Sequence, residues 1–170
     1  MDKVCHYTDP KSAKDIEENG LKPILGDKSE CLDVVLDSTR PEDSDFPMRT
    51  NSVFFYPGWK CGDRGDKNIR IVVNTEDIPD DCKCAVGSNS ETGGIESDIE
   101  QGIYERAIDS AESYWNLEAT PCTPGDNCDE KTNELSPYLP EYERGGNPEI
   151  FCGCQIEDVR IHPNDKEKID

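Results

Sequence analysis

Basic side chains are scarce in this chain. Eighteen lysines and arginines stand against 38 aspartates and glutamates, a formal net charge of −20 over 170 residues. A field of that sign repels polyanions, so general nucleic-acid binding is excluded and only a local basic patch could hold a phosphate backbone. Histidine is rarer still, at two residues, and neither the spacing nor the context of His6 or His162 ties it to one thiol, which argues against a catalytic cysteine. No apolar run is long enough to cross a bilayer. No charged-then-apolar segment opens the chain, so a secretory leader is not expected and cytoplasmic residence is the default.

What is present is acid. A surplus of carboxylates keeps a protein hydrated in high salt, so a halophilic cytoplasm, or a virus of such a host, is a reasonable source. Lysines still outnumber arginines, 11 to 7, which tempers that reading. Hydrophobic residues make up 33% of the chain, low for a globular protein, but they are grouped, as in Val53-Phe54-Phe55-Tyr56 and Ile69-Arg70-Ile71-Val72-Val73. Grouping favours a core over a disordered chain. The length suits a single domain, residues 1–170, around one core.

Cysteine, by contrast, is abundant. There are nine, including Cys82-x-Cys84 and Cys152-x-Cys154, and an odd number cannot all be paired. In a strand, residues i and i+2 face one side, so each Cys-x-Cys pair points together and the two pairs could jointly supply four thiolates to zinc. Structural zinc sites usually separate paired cysteines by about two to four residues, however. The sequence therefore favours scattered reduced thiols, then a few disulfides, then zinc, and no metal ligands are assigned.

Strands and helices alternate along the chain. A strand is expected over Lys3–Tyr7, then a helix of about three turns capped by Thr8 or Asp9, with Pro10 in its first turn and Gly20 as its stop. Residues 26–50 read as a mostly irregular, partly helical connector. Strands follow over 51–56, 68–74 and, shorter, 82–87, with a turn at 75–79 and a polar stretch over 88–94. Ile95, Ile99, Ile103 and Ala107, with Tyr114 or Trp115, recur at helical spacing and predict one helix over 95–116. Residues 118–147 read as a long loop, and a loop of that length is usually functional or disordered. The last strands are expected over 149–153 and 158–162.

Five pieces come in one order: His6-Tyr7-Thr8; the helix ending Gly20-Leu21-Lys22-Pro23; the strand Asn51 to Tyr56; the helix ending Tyr114-Trp115; and Pro148-Glu149-Ile150 with Ile156-x-x-Val159. That order resembles the ADP-ribosyltransferase superfamily in its compact bacterial, archaeal and viral members, toxin-like enzymes included. The resemblance implies a single α/β (α+β) domain with a split, mostly antiparallel sheet, two main helices and a long loop before the last strands. It implies NAD as the donor, with ADP-ribose passed to a macromolecular acceptor or NAD hydrolysed. His6, with Tyr7 and Thr8 beside it, would meet the nicotinamide-side ribose. Asn51, Ser52 and Tyr56 are the candidates for the second strand's contact with nicotinamide, although no Ser-Thr-Ser triplet is present. Glu149 would be the catalytic carboxylate, and the loop Glu118–Asn147 would meet the acceptor through Tyr138, Tyr142 and Arg144.

The chemistry agrees with those residue types. Breaking the bond from ribose to nicotinamide develops positive charge on the sugar, which one carboxylate can stabilise. The same carboxylate can act as general base toward an incoming nucleophile. Tyr7, Phe54 or Tyr56 could give a stacking wall. Blander readings stand beside this one. Among 38 acids a given glutamate is more often a solvated charge, His6 can be an edge histidine, Tyr56 can be plain core, and Glu141 and Glu143 compete with Glu149. Two other functions fit: a non-catalytic acidic inhibitor mimicking nucleic acid, and an RNA 2′-phosphotransferase-like enzyme, which would need Arg49, Arg70, Arg106 and Arg144 to converge on phosphate.

Overall fold

The computed structural model describes residues 2–23, 31–42, 44–65, 68–135 and 148–169. β1 (Lys3–Thr8) leads into α1 (Pro10–Asn19) through an Asp9 cap, whose carboxylate accepts from the Ser12 backbone N–H at 2.8 Å. Pro10 occupies the first turn, and Gly20, at φ 81°, ends the helix as the sequence indicates. The connector contains a helix, α2 (Cys31–Ser38), and a 3-10 turn at Arg49–Asn51. β2 (Val53–Pro57), β3 (Ile69–Asn74) and β4 (Cys84–Ser88) follow close to their expected positions.

The middle of the chain departs from the sequence reading. The single helix expected over 95–116 is two, α3 (Asn89–Glu100) and α4 (Tyr104–Ser113), followed by a π-helical turn over Tyr114–Glu118. The break lies at Gly102, whose φ of 75° is left-handed and open to glycine at little cost. A bidentate ion pair from Arg106 to Asp98 bridges the two helices. α3 also absorbs the polar stretch before Ile95, because Thr92 and Ile95 face inward at helical spacing and supply a buried stripe. The long loop expected over 118–147 begins instead with β5 (Thr120–Cys122) and α5 (Cys128–Leu135). Tyr138, Glu141, Tyr142, Glu143 and Arg144 lie outside the described residues. β6 (Pro148–Cys152), β7 (Arg160–Ile161) and a closing 3-10 segment (Pro163–Ile169) complete the chain.

The protein is a single α+β domain. Its seven strands run in the order β5-β4-β6-β2-β1-β3-β7 with antiparallel pairs, and β2 joins the two halves, pairing with β6 through Val53–Phe55 and with β1 through Tyr56 and Pro57. Alternation along the strands divides the core in two. One face buries Val4, Phe55, Ile71, Val86 and Ile150. The other sets Phe54, Ala85 and Phe151 against Leu36, Ile95, Ala107, Tyr114 and Trp115 from the helices. No helix among the described residues is long and apolar enough to cross a membrane.

The cysteines also depart from expectation. Eight of the nine are paired, as Cys5–Cys61, Cys82–Cys154, Cys84–Cys152 and Cys122–Cys128, and Cys31 is free and exposed. Spacing alone could not show this, because strand register makes the pairs: Cys84 lies directly opposite Cys152 on β6.

The C-terminal segment is fastened to β3 by a buried ion pair. Arg70 donates to Asp165 through Nε at 3.0 Å and Nη2 at 3.2 Å, and the Arg70 backbone N–H reaches the same carboxylate at 2.8 Å. Burial pushes the Asp165 carboxyl up, but these hydrogen bonds and the Arg70 charge outweigh it and leave its pKa below the usual value of 3.8. A depressed carboxylate stabilises the fold above its unfolded pKa and loses that contribution as pH falls through the folded one. Asp165→Asn should therefore lower the melting temperature at pH 7, and the gap to wild type should close as pH drops below about 4. A gap of constant size down the acid limb would show that Asp165 does not titrate against Arg70.

Candidate functional site

Glu149, the second residue of β6, is mostly covered, with its side chain 13% exposed, and accepts a hydrogen bond from Arg49 Nη1 at 2.6 Å. Arg49 itself is buried. Its Nε donates to Asp33 at 2.8 Å and its Nη1 to the Tyr114 hydroxyl at 3.1 Å. The rings of Phe54, Phe151 and Tyr114 surround the guanidinium at 4.9, 5.1 and 5.7 Å. α2 positions this arginine. Asp33 and Asp37 are one helical turn apart and both grip the 3-10 turn, Asp33 through the Arg49 side chain and Asp37 through the backbone N–H groups of Arg49 and Thr50 at 2.7 and 2.9 Å.

Electrostatics follow from this enclosure. Burial opposes the charge on Arg49, but Glu149, Tyr114 and Asp33 more than offset it and hold the guanidinium firmly protonated. Burial also raises the Asp33 carboxyl, against the pull of Arg49, and raises the Tyr114 hydroxyl well above its ordinary range. The cluster is a fixed cation presenting one carboxylate toward the edge of the core.

Gly87 makes the arrangement possible. It sits opposite Glu149 in the register of β4 and β6, and a methyl group there would overlap the Tyr114 hydroxyl and ring. Gly87→Ala should displace Tyr114 from Arg49 and cost about 1–3 kcal/mol, the usual range for overpacking a core. Denaturant unfolding checks this, and an unchanged midpoint would mean that Tyr114 moves without cost.

Tyr7 and Tyr56 lie on the same sheet face as Glu149 by strand alternation. The β2–β6 pairing ends at Phe55 and Ile150, the residue before Tyr56 and the residue after Glu149, and Tyr56 itself pairs with Cys5 of β1. The two tyrosine rings meet edge to face at 5.7 Å, and the Arg64 guanidinium stands 4.2 Å from both. Tyr7 donates to the Gly62 carbonyl at 2.6 Å, fixing the segment that carries Arg64. Burial raises the Tyr7 hydroxyl, partly countered by Arg64.

The other sequence candidates are placed differently. His6 and Thr8 point to the opposite face. His6 Nδ1 is 2.9 Å from the Phe54 carbonyl, its ring meets Phe55 edge to face, and burial lowers its pKa. Ser52 is fully buried, and its hydroxyl donates to the Met48 carbonyl at 2.6 Å, which closes the turn before β2. Asn51 is exposed at the far end of β2 and lines a separate cavity of about 450 Å³ with Arg40, Lys83 and Gly153. The structure thus brings Tyr7, Tyr56 and Glu149 onto one face and leaves His6, Thr8, Asn51 and Ser52 elsewhere. Sequence reading passed over Arg64, whose only signal was its position in a polar turn between two strands.

Of the four arginines considered for a phosphate site, three serve separate carboxylates, Arg49 with Glu149 and Asp33, Arg70 with Asp165, and Arg106 with Asp98, and Arg144 lies outside the described residues. No known protein family, curated protein or solved structure matches this chain.

Proposed function

We propose that the Glu149 face is the active site of an NAD-dependent ADP-ribosyltransferase acting on a macromolecular acceptor. The observation that carries this reading is strand order. β1, β2 and β6 are distant in sequence yet adjacent in the sheet, and they set Tyr7, Tyr56 and Glu149 on one face. The residue types fit a dinucleotide: a paired tyrosine wall for stacking, an arginine between the rings for a phosphate, and a carboxylate held against a buried guanidinium. NAD would supply the ADP-ribosyl group and nicotinamide as the leaving group.

The chain's own part is positioning and charge. Arg49 orients Glu149 through a hydrogen bond at 2.6 Å, so that the carboxylate needs little reorganisation to face positive charge developing on a sugar. Tyr7 and Tyr56 exclude water from one side. Arg64, which is exposed and makes its described contacts with these rings, anchors the anionic end. Incubation with NAD in dilute and molar salt, with nicotinamide followed by chromatography, tests the reading. Wild-type protein should release nicotinamide above the buffer rate, and Arg64→Ala should raise KM more than it lowers kcat. No release above buffer at either salt concentration would overturn the assignment.

A further inference from the structure

We infer that Cys82, Cys84, Cys152 and Cys154 form a tetrathiolate zinc site when the protein is reduced. The inference is independent of the proposed activity, because these four residues lie around the opposite sheet face from Glu149.

Register makes the site. Cys84 and Cys152 are direct partners across β4 and β6, and two residues further along each chain stand Cys82 and Cys154. A backbone bond from the Gly153 N–H to the Lys83 carbonyl at 2.9 Å fastens the two Cys-x-Cys segments together midway between the pairs. All four sulfurs therefore gather in one place. Those of Cys82, Cys84 and Cys152 lie within 4.8 Å of one another, and that of Cys154 is bonded to Cys82. The Cys82 and Cys84 sulfurs are 3.9 Å apart. Tetrahedral zinc with Zn–S bonds of about 2.3 Å needs sulfurs roughly 3.8 Å apart, so small side-chain rotations make the set a coordination sphere.

Chemistry selects the ion. Cys84 and Cys152 are almost wholly buried, at 2% and 0% exposure. Four soft sulfur donors at tetrahedral spacing suit zinc over hard cations such as magnesium or calcium. Each disulfide takes up two electrons and two protons to give two thiols. Binding Zn²⁺ then releases the four thiol protons and leaves a site of net charge −2. Cys82 and Cys154 also line a cavity of about 450 Å³ together with Arg40 and Lys83, whose positive charges lie near the −2 charge of the loaded site. The arrangement answers a conflict of setting. Disulfides are rare in a reducing cytoplasm. There the same four sulfurs would staple β4 to β6 through a metal instead.

The test uses the full chain, reduced anaerobically with a phosphine, loaded with Zn²⁺ and desalted. Native mass spectrometry should find one zinc per chain, each Zn²⁺ standing in place of two protons when reduced apo and loaded protein are compared at equal charge, and loading with Co²⁺ should give the intense visible bands of tetrahedral thiolate cobalt. Cys82→Ser with Cys154→Ser should lose the metal, while Cys122→Ser with Cys128→Ser should keep it. Absence of retained zinc in reduced wild type would overturn the site. So would equal retention in both double variants, or a cobalt spectrum of wild type lacking thiolate character. The cobalt spectrum needs no variant, so the inference stands or falls even where a substitution prevents folding.

Discussion

Arg49→Met should destabilise the protein by about 3–5 kcal/mol, the range for removing one partner of a buried ion pair. Methionine keeps much of the side-chain volume among Phe54, Phe151 and Tyr114 but leaves Asp33 and Glu149 without their shared cation. Both carboxylates retain some exposure, at 14% and 13%, so water relieves part of the penalty and places the effect toward the lower end. Urea unfolding gives the value directly. A triple variant that also carries Asp33→Asn and Glu149→Gln should recover much of the loss, because the uncompensated charge, rather than lost packing, is its main source. Failure to recover would locate the cost in the ring contacts instead.

Glu149→Gln should lower nicotinamide release by about 10²–10³-fold, corresponding to about 2–4 kcal/mol of lost transition-state stabilisation. Glutamine preserves the shape, and its carbonyl oxygen still accepts from Arg49, so the fold is retained. What it loses is the charge. The measurement has to be paired with a melting curve, because Glu149 is also a partner of a buried arginine. Turnover falling far more than stability supports a catalytic carboxylate. Turnover equal to wild type, with a lowered melting temperature, would show Glu149 to be only the counter-ion of Arg49.

Much of the scaffold was legible in the chain because it rests on local rules. Asp9, Pro10 and Gly20 bracket α1 through capping, ring geometry and a left-handed stop, all set within a few residues. β2, β3 and β6 were visible as grouped, mostly apolar runs, since strands covered on both faces draw largely on apolar side chains, and their charged residues, Arg70 and Glu149, are paired with Asp165 and Arg49. The first half of α3, before Ile95, and all of α5 were not legible. Their sequences, Asn-Ser-Glu-Thr-Gly-Gly and Cys-Asp-Glu-Lys-Thr-Asn, have weak intrinsic preference, and their contacts with the rest of the fold override it.

The sequence by itself determined the acidity, the one-domain size, the first helix with its caps, the main strands, and Glu149 at the start of a late strand. Only the tertiary structure decided which side chains meet. Strand alternation has a period of two, so a shift of one residue sends a neighbour to the other face. That is why Tyr7 shares the sheet face of Glu149 while His6, next to it in the chain, takes the other. Likewise, pairing β4 with β6 turned four cysteines in two distant segments into one cluster. Long-range register, which depends on the assembled sheet, carried both results.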